Sequence, residues 1–168
     1  MNTVTTTRLI NADINLVWAQ IKDVNLIQNW HPGVASTDKL SDKSVGIGAT
    51  RRCNFYKGNS VVEKIVELDE QANSKRLKIV MSEFNAPMHN FSSVWEIKST
   101  GSGATQITIK NNYEMKLSIL GTVLDLLIIR GKMPKLLNKV LSGLEHHVIH
   151  GEMIGEDFTE ATARVKSA

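Results

Sequence analysis

SILGTVLDLLIIRGKMPKLLNKVLSGLEHHVIH, residues 118–150, decides the fold. From Ser118 to about His150 it reads as one long amphipathic helix. Met133, Leu137, Val140, Leu144 and Val148 recur every three or four residues, with Leu136 and Leu141 widening the stripe. A single helix cannot bury such a stripe alone and needs a broad concave partner. The strand-rich segment from Gly48 to Tyr113 supplies one. A curved antiparallel sheet around one long helix leaves a cavity between them, which points to a container for a small apolar molecule. Pro134 flaws the helix, because proline lacks a backbone donor and crowds the preceding turn. A kink or break is expected at Gly131–Pro134, with Ile119–Arg130 as a separate or distorted helix.

Working back from the helix, Thr105–Met115 is the clearest strand. Ile107, Ile109, Asn111, Tyr113 and Met115 point one way, and Gln106, Thr108, Lys110, Asn112 and Glu114 the other. Further strands are expected at Ala49–Tyr56, Ser60–Leu68, Lys75–Glu83 and Asn90–Ile97, with a weak one at Val34–Leu40. Lys57-Gly58-Asn59 and Gly101-Ser102-Gly103 are hairpin connections. The β-branched run Thr3–Ile10 begins the chain as a strand. Asp13 then caps a helix over Leu16–Val24, and a short turn follows through Leu26–Trp30. The domain is expected to span residues 1–152, with 153–168 as a C-terminal tail, a loop or loosely held end.

The chain has 168 residues, 42% hydrophobic and 22% charged, and a net charge of +3, which is the composition of one ordinary globular domain. Its basic residues are scattered, so no nucleic-acid partner is expected. Arg130, Lys132, Lys135 and Lys139 do gather, as the solvated face of the long helix or as a surface for anionic headgroups. Cys53 is the single cysteine, which excludes an intramolecular disulfide and suits a reducing compartment. The first residues, MNTVTTTRLI, lack the basic and apolar regions of a secretory leader. Ile119–Ile129 is too short and too interrupted for a membrane span. A cytoplasmic location, no stable membrane insertion and at most a weak homodimer are expected.

Arg51, Glu63 and Asn111 stand in registers otherwise apolar. A polar side chain on an inward face needs a hydrogen bond, and a charge needs more. Arg51 and Glu63 lie on strands joined by a hairpin, so they could pair across the cavity: as a structural buried ion pair, unless a register slip puts one of them in water, or as a polar anchor for a ligand. Trp30, Phe91, Trp95 and Tyr113 are bulky enough to be both core and cavity wall. Met81, Met88, Met115 and Met133 would give that wall adaptable packing. The lining is expected to include Phe55, Glu63, Trp95, Ile109, Tyr113 and Leu137, with Cys53 beside Arg51 and Phe55 on the same face. His146, His147 and His150 sit near the helix end, but the motif H-E-x-x-H is absent, so no metal or cofactor is expected.

The order strand, two short helices, six strands, long helix resembles the helix-grip fold, an α+β architecture. The residues that carry the resemblance are Ile10-Asn11-Ala12-Asp13, Val17-Trp18, Trp30-His31-Pro32-Gly33-Val34, Gly46-Ile47-Gly48-Ala49-Thr50-Arg51, Gly58, Val62-Glu63-Lys64-Ile65-Val66, Asp69 and Trp95. Together they resemble the START-like, or SRPBCC, superfamily, which includes Bet v 1 allergens, plant abscisic-acid receptors and bacterial polyketide cyclase-type proteins. The bacterial branch is the more similar. In the receptors, residues matching Arg51, Glu63, Phe91 and Tyr113 line the pocket. The receptors' long Gly-Leu-Pro gate loop would fall at Tyr56–Asn59, which is too short to close as a lid.

Three functions follow as expectations. The first is a non-catalytic carrier of a small hydrophobic molecule: a lipid, a polyketide or an aromatic metabolite. The second is a cyclase- or dehydratase-like enzyme using Arg51, Glu63 or Tyr113 for acid–base work. The third is an interaction or membrane-surface module. Ligand entry is expected near Asn85–His89, with Ile119–Arg130 as a lid.

Overall fold

The segment Thr105–Met115 forms the strand its alternation predicts. Ile107, Ile109, Asn111 and Tyr113 are buried, Gln106 is exposed, and Thr108, Lys110, Asn112 and Glu114 are half-buried. In the computed structural model, residues 1–85, 88–115 and 130–159 are described. The expectations for Ser118–Ile129, including the lid, and for Ala86-Pro87 lie outside the described residues.

The elements run β1 (Asn2–Ile10), α1 (Ile14–Lys22), α2 (Ile27–Trp30), β2 (Val34–Lys39), β3 (Thr50–Phe55), β4 (Ser60–Glu70), β5 (Ser74–Ser82), β6 (Met88–Ser99), β7 (Thr105–Met115) and α3 (Arg130–His150). The strands form one sheet in the order β1-β7-β6-β5-β4-β3-β2, with every neighbouring pair antiparallel. Strands β2 to β7 are therefore a meander of successive hairpins, and β1 returns to pair with β7. This is the α+β helix-grip arrangement, an open sheet with α3 packed against β1, α1 and α2.

Local chemistry sets the element ends. The Asp13 side chain accepts the Asn15 N–H at 2.8 Å and starts α1, which buries Ile14, Val17, Trp18 and Ile21. The helix stops at Lys22, short of the expected Val24. The Val24 N–H goes instead to the Ser44 carbonyl at 2.9 Å, beside a bridge between Asp23 and Val45. Gly48, at φ +91°, turns the chain into β3 and donates its N–H to the Ile65 carbonyl at 2.8 Å.

Helix α3 buries Leu137, Val140, Leu141 and Leu144. Complete burial of a leucine such as Leu141 or Leu144 stabilises the fold by about 1.5–3 kcal/mol. Glu145 fixes the helix on β1, accepting from Arg8 Nη2 at 3.0 Å and from the Asn11 N–H at 3.1 Å. Two expectations are corrected here. Among the described residues the helix runs through Pro134 instead of breaking there, because burial of Leu137, Val140, Leu141 and Leu144 outweighs the one backbone hydrogen bond that proline removes. Leu136 does not widen the buried stripe: it is 56% exposed. Arg130, Lys132 and Lys135 are exposed and Lys139 is half-buried.

After α3 the chain folds back. Ile154 is buried, and its N–H donates to the Asn29 carbonyl at 2.9 Å. His146 Nε2 lies 3.1 Å from Glu152 Oε2, and its ring packs against His150 and Phe158. Among the described residues, no helix is long and apolar enough to cross a membrane.

Candidate functional site

A cavity of about 300 Å³ lies between the inner face of the sheet and the N-terminal half of α3. Each element contributes the side chains its pleat or turn directs inward. From β3 come Arg51 and Phe55, from β4 Val61 and Glu63, and from β5 Ile79 and Met81. Strand β6 adds Phe91, Ser93 and Trp95, and β7 adds Asn111. Ile27, Trp30 and His31 close one side, and Met133, Leu136, Leu137 and Val140 the other. Leu136 is the exposed part of this rim, with His31, Phe55, Met81 and Met133 half-buried beside it. Met81 and Phe91 also line a second, outer groove of about 720 Å³, which Glu83, Phe84 and Met88–Ser92 help to form. That groove adjoins the loop at which entry is expected.

Arg51 and Glu63 are direct cross-strand partners, both buried. Arg51 donates from Nε to Glu63 Oε2 at 2.7 Å, and its Nη2 lies 2.5 Å from the same oxygen. Its Nη1 donates to the Val24 carbonyl at 2.8 Å, the group that the early end of α1 leaves facing inward. The pair therefore sits side by side on one wall, not across the cavity as expected, because neighbouring strands place opposed residues within direct reach. Burial alone would push the Arg51 guanidinium down, but the Glu63 carboxylate outweighs it and holds it above its ordinary value.

Of the residues singled out from the sequence, Trp30, Arg51, Phe55, Glu63, Phe91, Trp95, Asn111 and Leu137 line the cavity. Cys53, Ile109 and Tyr113 do not. Cys53 lies behind Glu63, its Sγ donating to Oε2 at 3.6 Å, and burial together with that carboxylate pushes the thiol up to about 12. Ile109 is fully buried in the main core with Leu141 and Leu144. Tyr113 is also fully buried, stacked on Phe91 with ring centroids 6.1 Å apart, so Phe91 forms the wall and Tyr113 backs it. Trp30 and Trp95 meet edge to face at 6.3 Å, with Trp30 Nε1 donating to the Gln20 carbonyl.

Sequence reasoning missed His31. The Gly33 N–H donates to His31 Nδ1 at 3.0 Å, so the neutral ring carries its proton on Nε2. Burial brings its pKa down to about 4, with Glu63 opposing and Arg51 adding to the fall. The unfolded pKa is higher, near 6.5, so the unfolded chain takes up the proton first as pH drops. The stability that neutral His31 contributes is thus complete above about pH 6.5 and is lost between about 6.5 and 4. Chemical denaturation across that window should show wild type losing stability more steeply than His31→Gln; parallel curves would contradict the depressed pKa.

Comparisons with known proteins agree with the fold. A family model described as "Polyketide cyclase / dehydrase and lipid transport" matches residues 1–148. No curated protein matches the chain. Among solved structures, a Thermobifida fusca protein is 23% identical with a TM-score of 0.69, covering 92% of this chain and 97% of its own. A START superfamily protein from Mycobacterium smegmatis is 13% identical with a TM-score of 0.70, over 88% of this chain and 97% of that one. Norcoclaurine synthase from Thalictrum flavum, solved with dopamine and hydroxybenzaldehyde, is 16% identical with a TM-score of 0.66, over 90% and 88% respectively. At these identities the likeness is one of fold.

Proposed function

The chain belongs to the polyketide cyclase/dehydrase and lipid transport family, and on that premise we propose that it binds and carries a small hydrophobic molecule in the cavity. A lipid, a polyketide or an aromatic metabolite would fit this description. The observation that carries the reading is the cavity itself. Among the described residues its walls are largely Ile, Leu, Val, Met and aromatic side chains, and the one buried charge pair there is neutralised within the wall. At about 300 Å³ it lies at the small end of ligand sites, which favours a compact ligand over a long-chain one.

Cyclase- or dehydratase-like chemistry in the same cavity has one observation in its favour. His31, neutral at physiological pH, lines the cavity together with the carboxylate of Glu63, and the two would serve proton transfer to or from a bound molecule.

Native mass spectrometry of freshly purified protein tests the carrier reading. A non-covalent mass excess, absent from the denatured spectrum, is expected. If no adduct is seen and 1-aminoanthracene, a small apolar fluorophore, gains no fluorescence on mixing, the carrier reading is lost.

A further inference from the structure

We infer that the ligand of this cavity is an uncharged hydrogen-bond donor, a phenol or an alcohol, whose hydroxyl donates to Oε1 of Glu63. The inference rests on the carrier reading above and names the chemical class of its ligand.

An ionised carboxylate has two oxygens and about four acceptor positions. Glu63 uses them unevenly. Arg51 Nε, Arg51 Nη2 and Cys53 Sγ all fall on Oε2. Among the described residues, no donor reaches Oε1. Nor is Oε1 sealed off. The described side-chain atoms that are both sealed and unpaired are Thr6 Oγ1, Gln20 Oε1, Trp95 Nε1 and Asn111 Oδ1. Glu63 Oε1 lies outside that set, so it keeps accessible surface. Glu63 is buried on the inward face of β4 and lines the cavity, so that surface is cavity surface. One charged oxygen of the wall is therefore open to whatever the cavity holds.

A ligand that covers this oxygen without a donor leaves a charged acceptor buried and unpaired, which costs more than for a neutral group. A donor replaces that cost with a charge-assisted hydrogen bond. The surroundings select against charge on the ligand. A carboxylate would repel Oε1. Among the described residues of the lining it would find no free cation, because all three Arg51 nitrogens face Glu63 or the Val24 carbonyl. An ammonium would add an unbalanced charge, since Arg51 already matches Glu63. His31 registers the size of that cost: it lines the same cavity and feels the Glu63 carboxylate, yet burial keeps it neutral at pH 7. A neutral donor makes the hydrogen bond and adds no charge.

Four probes with a common ring system test this, titrated calorimetrically at pH 7. They are 2-naphthol, which donates; 2-methoxynaphthalene, which keeps the oxygen but cannot donate; 2-naphthoate, an anion; and 2-naphthylmethylamine, a cation. Wild type should bind 2-naphthol at least about tenfold more tightly than any of the other three, the scale of one hydrogen bond to a charged acceptor. Two variants remove the acceptor by different routes. Arg51→Met, Glu63→Leu replaces it with an apolar side chain. In Glu63→Gln the amide oxygen stays with the Arg51 donors, so its NH2 group takes the place of Oε1 and a donor stands where an acceptor was. In each variant, 2-naphthol and 2-methoxynaphthalene should bind within about twofold of each other. Thermal unfolding shows which variant is folded at the titration temperature; one suffices, and the wild-type comparison stands without either. Equal binding of 2-naphthol and 2-methoxynaphthalene by wild type would overturn the inference and leave the carrier reading standing. A preference that survives in a folded variant would overturn the assignment to Glu63. Binding of either charged probe as tight as that of 2-naphthol would overturn the requirement for an uncharged ligand. No binding of any probe would overturn the inference, and with no adduct in the native spectrum the carrier reading falls with it.

Discussion

Glu63→Gln is expected to lower the unfolding free energy by about 3–5 kcal/mol, the usual cost of leaving one member of a buried ion pair without its counter-charge. Arg51 is 4% exposed and Glu63 8%, so both are largely withdrawn from bulk solvent. Glu63 Oε2 alone takes Arg51 Nε, Arg51 Nη2 and Cys53 Sγ, and a neutral amide oxygen holds these donors more weakly. Urea denaturation should show a lower midpoint at an unchanged m-value. The double variant Arg51→Met, Glu63→Leu should recover most of the loss, since exchanging a buried pair for apolar side chains is often neutral or stabilising. A midpoint for Glu63→Gln equal to that of wild type would show that the pair contributes no stability.

Gly143→Ala is the second large effect, and here two terms compete. In a helix, alanine is favoured over glycine by about 1 kcal/mol. Yet a Cβ at Gly143 would lie 2.5 Å from the Trp30 carbonyl oxygen and 3.2 Å from Pro32 Cδ. The first of these is backbone and cannot swing aside. Overpacking costs typically about 1–3 kcal/mol and sometimes more. The clash outweighs the propensity gain, for an expected net loss of about 2 kcal/mol, or about 4–8 °C in Tm for a domain of this size. Because the clash falls on the residue whose indole forms part of the cavity wall, binding of 1-aminoanthracene should weaken as well. A raised Tm would show that α2 can move away from α3 at little cost.

Much of this architecture is legible in the residues. Alternation in Thr105–Met115 marks both faces of β7, and the three-and-four spacing from Leu137 to Leu144 marks the buried side of α3. What alternation does not carry is how closely the helix lies over each part of the sheet. Ile109 and Asn111 share one face of one strand, yet the first is sealed into the core and the second meets open space. Only the path of α3 separates them. Leu136 fails for a related reason: it sits at the margin of the stripe, and there the side chain meets solvent. The His31 position did have a signal. A residue before proline is pushed out of helical geometry, and His31 is extended, with ψ 115°, so the helix ends at Trp30 and both consecutive side chains line the cavity.

The pairing of β1 with β7 also governs the order in which the molecule assembles. Strands β3 to β7 each join the next across a short turn, and β2 joins β3 across a somewhat longer loop, so their contacts are local and their loops close at little entropic cost. The partner of β1 lies far along the chain: Ile10 is matched with Thr105 and Asn2 with Tyr113. Translation at about 5–20 residues per second leaves β1 waiting on the order of 5–20 s for that partner to be made. In the interval its hydrogen-bonding edge has no mate. The run Thr3, Thr5, Thr7, which shows hydroxyls on the face opposite Val4 and Ile10, keeps that waiting strand soluble until β7 arrives to claim it.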